Sequence, residues 1–371
     1  MRRSLAMIAI VATALVAIPG CASSGSGGST LGLPTGVVYP KIVPDGSVTA
    51  DRTVTYTFDF EGAARTLTVT IDGSVYAGAD AAEKSVTRFG NARENDWIED
   101  YYPAFVNEPH QDAFYDALLG QLRAIRSAEG LDDDRYIELM TVFVQSVEYR
   151  TDPVDLSPKF PVETFVEQSG DCDDKTLLLA GLLSREGFDV AVMLFEAEQH
   201  VALGIRSADN GYAGTGYAFV ETTAPGFVGM VPDGLGGGIT LVSEPQVFRI
   251  DGGTRPYGAG EQVAFILQRD SELELRAIEL GELVKDADDG LVALEAQATS
   301  LKARLDSYTA SGDTARYNAL VPEYNRVADA YNVQAAERNT LAEEYNSVVA
   351  ARSYIFDHLD DRPAVYRFLR G

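Results

Sequence analysis

Apolar and polar positions alternate from about Val48 to Tyr76, as in Thr53-Val54-Thr55-Tyr56-Thr57-Phe58 and Leu67-Thr68-Val69-Thr70-Ile71, with a Glu61-Gly62 pair dividing the two runs. A period of two rich in β-branched residues predicts a β-hairpin or small sheet. The period then changes. Phe114, Leu118, Leu122 and Ile125, followed by Ile137, Met140, Phe143 and Val147, recur at helical spacing and predict amphipathic helices over 112–126 and 132–149. A further helical pattern runs from Cys172 to Arg185 and stops at Gly187, where three strand-like runs begin, over 189–195, 199–206 and 217–222. Helices and strands in this order predict an α+β core.

The last hundred residues carry a different pattern. Ala277, Leu280, Val284, Ala287, Leu291, Leu294, Ala298, Leu301, Leu305 and Tyr308 alternate steps of three and four, which is the seam of a coiled coil. Ser311-Gly312-Asp313 interrupts it, and a second seam follows through Tyr324, Val327, Tyr331, Leu341, Tyr345 and Val348, so the expected form is an antiparallel helical hairpin. Asparagine also recurs every seven residues at Asn318, Asn325, Asn332, Asn339 and Asn346. A packing seam with polar flanks produces that spacing, and so does a docking face, so this arm is expected to be scaffold or a surface for a protein partner.

At the other end, Arg2 and Arg3 precede an apolar run from Leu5 to Ile18, 14 residues long and short of the roughly 18 that a spanning helix needs. Its shape predicts a signal peptide over 1–20, and Ile18-Pro19-Gly20-Cys21 resembles the lipobox of prokaryotic lipoproteins, in which the cysteine is lipidated. The Ser/Gly-rich stretch that follows begins a flexible tether over 21–47. The expected order is then a β region at 48–110, a mixed core at 111–262 and the helical arm at 263–371, on the outer face of a cell-envelope membrane. With 46% apolar residues the chain has material for real cores, which excludes global disorder. Its net charge of −26 has the wrong sign for a nucleic-acid partner.

Two cysteines are present, and with Cys21 assigned to the lipobox, Cys172 stands alone in an exported chain that offers it no disulfide partner. It opens the helix that carries Leu178, Leu179, Leu182 and Leu183, so its sulfur is expected in the first turn. Unpaired N–H groups and the positive end of the helix dipole favour the thiolate there. Asp171, Asp173 and Asp174 act the other way, since nearby carboxylates favour the neutral thiol. The conflict resolves if a histidine pairs with the sulfur or a cation occupies the carboxylates. Among the three histidines, His200 begins a strand-like run after this helix, and Glu221 lies in the next run, while His110 and His358 read as ordinary surface or core residues. Cys, His and acid on helix, strand and neighbouring strand form a workable nucleophile, base and orienting group.

Gly170-Asp171-Cys172-Asp173-Asp174, Gly187-Phe188-Asp189-Val190, His200-Val201-Ala202-Leu203-Gly204 and Tyr217-Ala218-Phe219-Val220-Glu221-Thr222-Thr223 together resemble the transglutaminase-like superfamily. The approach through Phe143-Val144-Gln145-Ser146-Val147-Glu148-Tyr149 and Phe160-Pro161-Val162-Glu163-Thr164 is similar as well, so the resemblance covers roughly residues 130 to 235. It implies a papain-like α+β catalytic domain with Cys172 as nucleophile, His200 as general base and acid, and Glu221 as orienting carboxylate in acyl transfer through a thioester. Glutamate stands where the family usually has aspartate, and the extra methylene moves the carboxylate by about an ångström or more. The Cys172 backbone N–H is available to an oxyanion hole, whose second donor is not legible. No cofactor is required.

The acidic cluster is also similar to that of calcium-dependent periplasmic cysteine proteinases in this superfamily. Asp171, Asp173 and Asp174 are therefore candidate calcium ligands, or else ordinary helix N-terminal acids held by the dipole. The expected function is a membrane-anchored cysteine peptidase or amidase acting on protein or peptide. The alternatives are a cross-linking transglutaminase, which shares the acyl-enzyme step, and a non-catalytic module recruiting a partner through the helical arm.

Overall fold

The structure is a computed structural model that describes residues 36–89, 97–151, 157–209, 211–235 and 240–371. The expected signal peptide, the lipobox at Cys21 and the first part of the tether lie outside the described residues. In chain order the elements are β1 (Gly36–Val38), β2 (Arg52–Phe60), β3 (Ala63–Ile71), α1 (Gly73–Asp80), β4 (Thr87–Phe89), α2 (Ile98–Val106), α3 (Asp112–Glu129) and α4 (Asp133–Gln145). Then come β5 (Glu148–Tyr149), α5 (Pro161–Glu167), β6 (Ser169–Gly170), α6 (Cys172–Arg185), β7 (Val190–Phe195), β8 (His200–Arg206), β9 (Tyr217–Val220) and β10 (Gln246–Ile250). The chain ends in α7 (Gly260–Ser311), α8 (Thr314–Asp357) and α9 (Arg362–Arg370). It is a mixed α+β protein with a long C-terminal helical region, in two compact units: residues through Ala264 with Leu359–Arg362, and Phe265–His358 with Pro363–Gly371.

In the first unit, β2 and β3 form the hairpin that the alternation predicts. Val54, Tyr56, Phe58 and Phe60 point inward, while Thr53, Thr55 and Thr57 face Thr70, Thr68 and Thr66 across the exposed side. Glu61 and Gly62 both take positive φ, as a two-residue type I′ loop requires. The buried face is aromatic: Tyr56 and Phe58 meet Phe143 of α4 at ring distances of 5.2 and 5.5 Å, and Tyr56 donates to the Phe165 carbonyl. Residues 48–110 and 111–262 therefore share one unit. The first of these stretches also holds two helices beyond its strands; Asp72 starts α1 by accepting from the Ser74 N–H, and α2 buries Tyr101, Tyr102 and Phe105.

The central sheet has the order β10-β7-β8-β9, antiparallel throughout. β10, an edge strand, lies outside the three runs expected from sequence and closes the sheet against β7. Helix α6 is the core of the unit: Leu177, Leu178, Leu179, Ala180, Leu182 and Leu183 are all fully buried, with α2, α4, α5, β7 and β8 packed around them. Such all-round burial is the signature of an interior helix, not an amphipathic surface one. At Gly181 the Tyr115 hydroxyl lies where a Cβ would stand, so glycine alone lets α3 close on α6.

In the second unit, α7 and α8 run antiparallel, as ion pairs Arg276–Glu344, Arg338–Asp288 and Arg352–Asp270 show by their opposed order along the chain. The break falls at Gly312, with φ +72°, and Asp313 caps α8 through the Arg316 N–H. Leu301, Leu305 and Leu320 form the buried centre of the seam, with Tyr308, Tyr324 and Val327 against them. All five asparagines of the heptad repeat are exposed.

Candidate active site

The site is built at the N-terminus of α6. Asp171 is the N-cap: its carboxylate accepts from the Asp174 N–H at 3.4 Å, and the Asp174 carboxylate accepts in return from the Asp171 N–H at 3.2 Å, a reciprocal capping box. Cys172 is therefore the first helical residue, partly accessible at the protein surface. Burial pushes its thiol well above the ordinary value, and the charges of Asp173 and Asp171 push the same way. N–H groups of Val201 and Asp173, directed at the sulfur, oppose this without reversing it. The balance of these causes favours the neutral thiol.

One turn further along α6, Thr176 fixes the helix to the sheet. Its hydroxyl donates to the Val201 carbonyl at 3.4 Å and shares a 3.2 Å hydrogen bond with the Thr222 hydroxyl. Val201 follows His200 at the start of β8, and Thr222 follows Glu221 just past the end of β9. Thr176 thus meets the chain neighbours of both remaining candidates, and the Val201 N–H, next to His200, is directed at the Cys172 sulfur. His200 Nε2 lies 3.1 Å from Glu221 Oε2, with both side chains buried. A carboxylate can only accept, so Nε2 carries the proton and Nδ1 is the basic nitrogen. The extra methylene of glutamate is taken up locally: Oε1 accepts from the Thr223 N–H at 2.7 Å and the Thr223 hydroxyl at 2.6 Å, leaving Oε2 for the imidazole. Burial acts to raise the Glu221 carboxyl, but His200 and the Thr223 donors outweigh it and hold the group below its usual value.

Beneath this pair lies a second tier of buried polar groups. Gln145, the last residue of α4, donates its amide to the Glu221 carbonyl at 2.8 Å and the Gly226 carbonyl at 3.0 Å. Lys175 is fully buried on α6 and donates to the carbonyls of Gln145 at 3.2 Å and Val147 at 2.7 Å. Desolvation lowers its ammonium to about 8, against the opposing charge of Glu221.

Oxygen atoms of Asp171, Asp173 and Asp174 lie within 4.8 Å of one another. Burial and then Asp171 hold the Asp173 carboxyl well above its usual range, and the same two causes push Asp174 up to about 7. Asp174 is buried and commits both oxygens to backbone N–H groups, of Lys159 and Asp171, whereas Asp171 and Asp173 are half-buried residues that each give one oxygen to the Asp174 N–H. Calcium takes roughly six to eight oxygen ligands, so this set fits such an ion only as a weak site completed by water or substrate. A second acidic group, Asp80, Glu163 and Glu167, is already balanced by Lys84 on Glu163 at 2.8 Å and Lys159 on Glu167 at 2.9 Å.

Two tyrosines to which the sequence assigns no role lie within electrostatic reach of the sulfur. Tyr149 on β5 pairs with Gly170 on β6, two residues before Cys172, and its side chain is 48% exposed. Burial raises its hydroxyl to about 12, with Cys172, Asp171, Glu221 and Asp173 adding to the shift in that order. Tyr102 is buried on α2; desolvation and then Asp173 raise its hydroxyl, and Cys172 also bears on it. Tyr102 precedes Cys172 by seventy positions inside an aromatic run, so no local signal marks it. His110 pairs with Glu108 at 2.8 Å, and His358 donates to the Tyr354 carbonyl at 2.8 Å and stacks on that ring, so neither joins the site.

No helix among the described residues is long and apolar enough to cross a membrane. No family model, curated protein or solved structure matches the chain.

Proposed function

We propose that the chain is an extracytoplasmic, membrane-anchored cysteine peptidase or amidase of transglutaminase-like type, with a papain-like core, acting on protein or peptide. The observation that carries this reading is the buried His200–Glu221 pair at 3.1 Å, set at the strand end where Val201 directs its N–H toward the Cys172 sulfur. Burial and the flanking acids favour the neutral thiol, and in this reading His200 Nδ1 acts as a general base, not as half of a preformed ion pair. The Cys172 Sγ–H proton passes to Nδ1 as sulfur attacks the amide carbon, and the carbonyl oxygen becomes an oxyanion near the first-turn N–H groups of α6. The C–N bond then breaks, the departing amine takes the proton from His200, and a thioester remains on Cys172. Water, deprotonated by His200, attacks the thioester, and Cys172 leaves with its proton restored. Glu221 holds the imidazole in the tautomer this sequence needs and stabilises the imidazolium.

Cys21 lipidation would tether the enzyme, as residues 18–21 resemble a lipobox. A divalent cation on Asp171 and Asp173 would supply positive charge that favours the thiolate. Acidic groups around the sulfur disfavour strongly acidic substrates.

Trapping the acyl-enzyme tests the reading. The full chain carrying Cys21→Ser has one thiol, and treatment with p-nitrophenyl acetate is expected to leave an acetyl group on Cys172, seen by peptide mass spectrometry. His200→Ala should slow that acetylation about a hundredfold or more. Equal rates in the two proteins would overturn the triad and favour a non-catalytic module. Repeating the reaction with a primary amine separates hydrolysis from transamidation, and a chelator tests the cation.

A further inference from the structure

Helix α4 ends beside the candidate triad. The last carbonyls of any helix lack intrahelical partners, and here the Gln145 carbonyl, with that of Val147 just beyond, is satisfied by one buried ammonium, that of Lys175. Burying a charge is costly, and a methionine of similar length would fill the same space without that cost. What the ammonium gains is a fixed position for Gln145. The side chain of that residue, 8% exposed, grips the carbonyl of Glu221 and, across the turn, that of Gly226. A continuous path of hydrogen bonds thus runs from Lys175 to the α4 terminus, through the Gln145 amide to the Glu221 backbone, and through the Glu221 carboxylate to His200. Every side chain on it is at least nine-tenths buried.

We propose that Gln145 and Lys175 are positioning residues for the acyl-transfer reaction: they fix the backbone of Glu221 so that its carboxylate meets His200 while Thr223 holds the other oxygen. This rests on the reading of Cys172, His200 and Glu221 as the reacting triad. The carboxylate of a glutamate sits on a longer stem than that of an aspartate, so its aim depends more on how firmly its own backbone is held. Gln145 supplies that hold from a different element than the one Glu221 belongs to. An error of about an ångström in such a group costs on the order of a hundredfold in rate.

The test uses the full chain with Cys21→Ser and p-nitrophenyl acetate as the acyl probe, with Glu221→Gln, Gln145→Leu, Lys175→Met and the two double variants that contain Glu221→Gln. Each single variant is expected to slow acetylation of Cys172 by about tenfold to a hundredfold. The double variants should react no more slowly than Glu221→Gln alone, because all three changes remove one contribution. Thermal unfolding, recorded for each, separates loss of aim from loss of fold; if Lys175→Met does not fold, Gln145→Leu and its double variant carry the test. Retention of the wild-type rate in Gln145→Leu, or multiplication of its defect with that of Glu221→Gln, would overturn the positioning role while leaving the triad intact. If His200→Ala and Glu221→Gln both react like the wild type, the acyl-transfer reading itself is wrong.

Discussion

Cys172 occupies a helix N-terminus, a position that ordinarily lowers a thiol pKa, yet its thiol is held high because burial and two flanking carboxylates outweigh the dipole. Asp173 contributes the larger of the two charge effects. Asp173→Asn is therefore expected to lower the midpoint of the pH-dependent alkylation of Cys172, and at pH 8 to speed reaction with iodoacetamide about threefold to tenfold through the larger thiolate fraction. The sign follows from charge: removing a neighbouring anion favours the anionic form of sulfur. An unchanged midpoint would assign the shift to desolvation alone. Saturating calcium on the wild type should move the midpoint in the same direction if Asp171 and Asp173 hold the ion, and should have less effect on the variant.

The elements differ in how openly the sequence declares them. Strands β2 and β3 alternate cleanly and face solvent on one side, so their period is visible; α6 is bounded by Asp171 and Gly187, and its expected limits and its observed ones agree at Cys172 and Arg185. Elements α1 and α2 are less legible, because Gly73 and Gly78 weaken the helical pattern of the first, and aromatic residues in the second suit either period. β10 is five residues long and is defined by pairing with β7, a long-range contact that local pattern does not encode. Cys172 and His200 stand out in the sequence because cysteine and histidine are scarce in this chain, and Glu221, one of many acids, is singled out only by its place in the order after them. Gln145 and Lys175 do not stand out, because their roles arise from which carbonyls the folded chain brings near them. The arm is legible for the opposite reason, its seam being purely local and repetitive. Leu305, buried between Leu301 and Leu320, should lose about 2–4 kcal/mol of stability in the second unit on replacement by alanine, measured by denaturant unfolding, whereas Asn332→Ala on the exposed face should change it little.

At the scale of the whole chain, the segment Leu359–Arg362 returns from beyond the helical arm to join the first unit, and a buried ion pair holds it there. Arg362 is 5% exposed and Glu138 8%; the guanidinium donates to Glu138, and Tyr257 donates to the same carboxylate oxygen at 2.6 Å. Burial raises the Glu138 carboxyl and Arg362 opposes that rise, so the carboxylate depends on its partner. Replacing Arg362 by methionine leaves an uncompensated buried charge, and the expected loss is about 3–5 kcal/mol in the first unit. The loss should depend on pH. Without the guanidinium the folded-state pKa of Glu138 climbs further above its unfolded value, so the folded protein binds a proton the unfolded chain releases. Stability is then retained at low pH and lost as pH rises through the folded pKa, and Arg362→Met should fall further behind the wild type at pH 8 than at pH 5. Glu138→Leu combined with Arg362→Met removes both charges, and most of the stability should return, because a well-packed apolar pair of similar volume replaces a buried ion pair at little cost. Thermal unfolding of the three proteins at the two pH values checks this; equal losses in single and double variants would mean that packing of the 359–362 segment, and not charge, holds the chain's return.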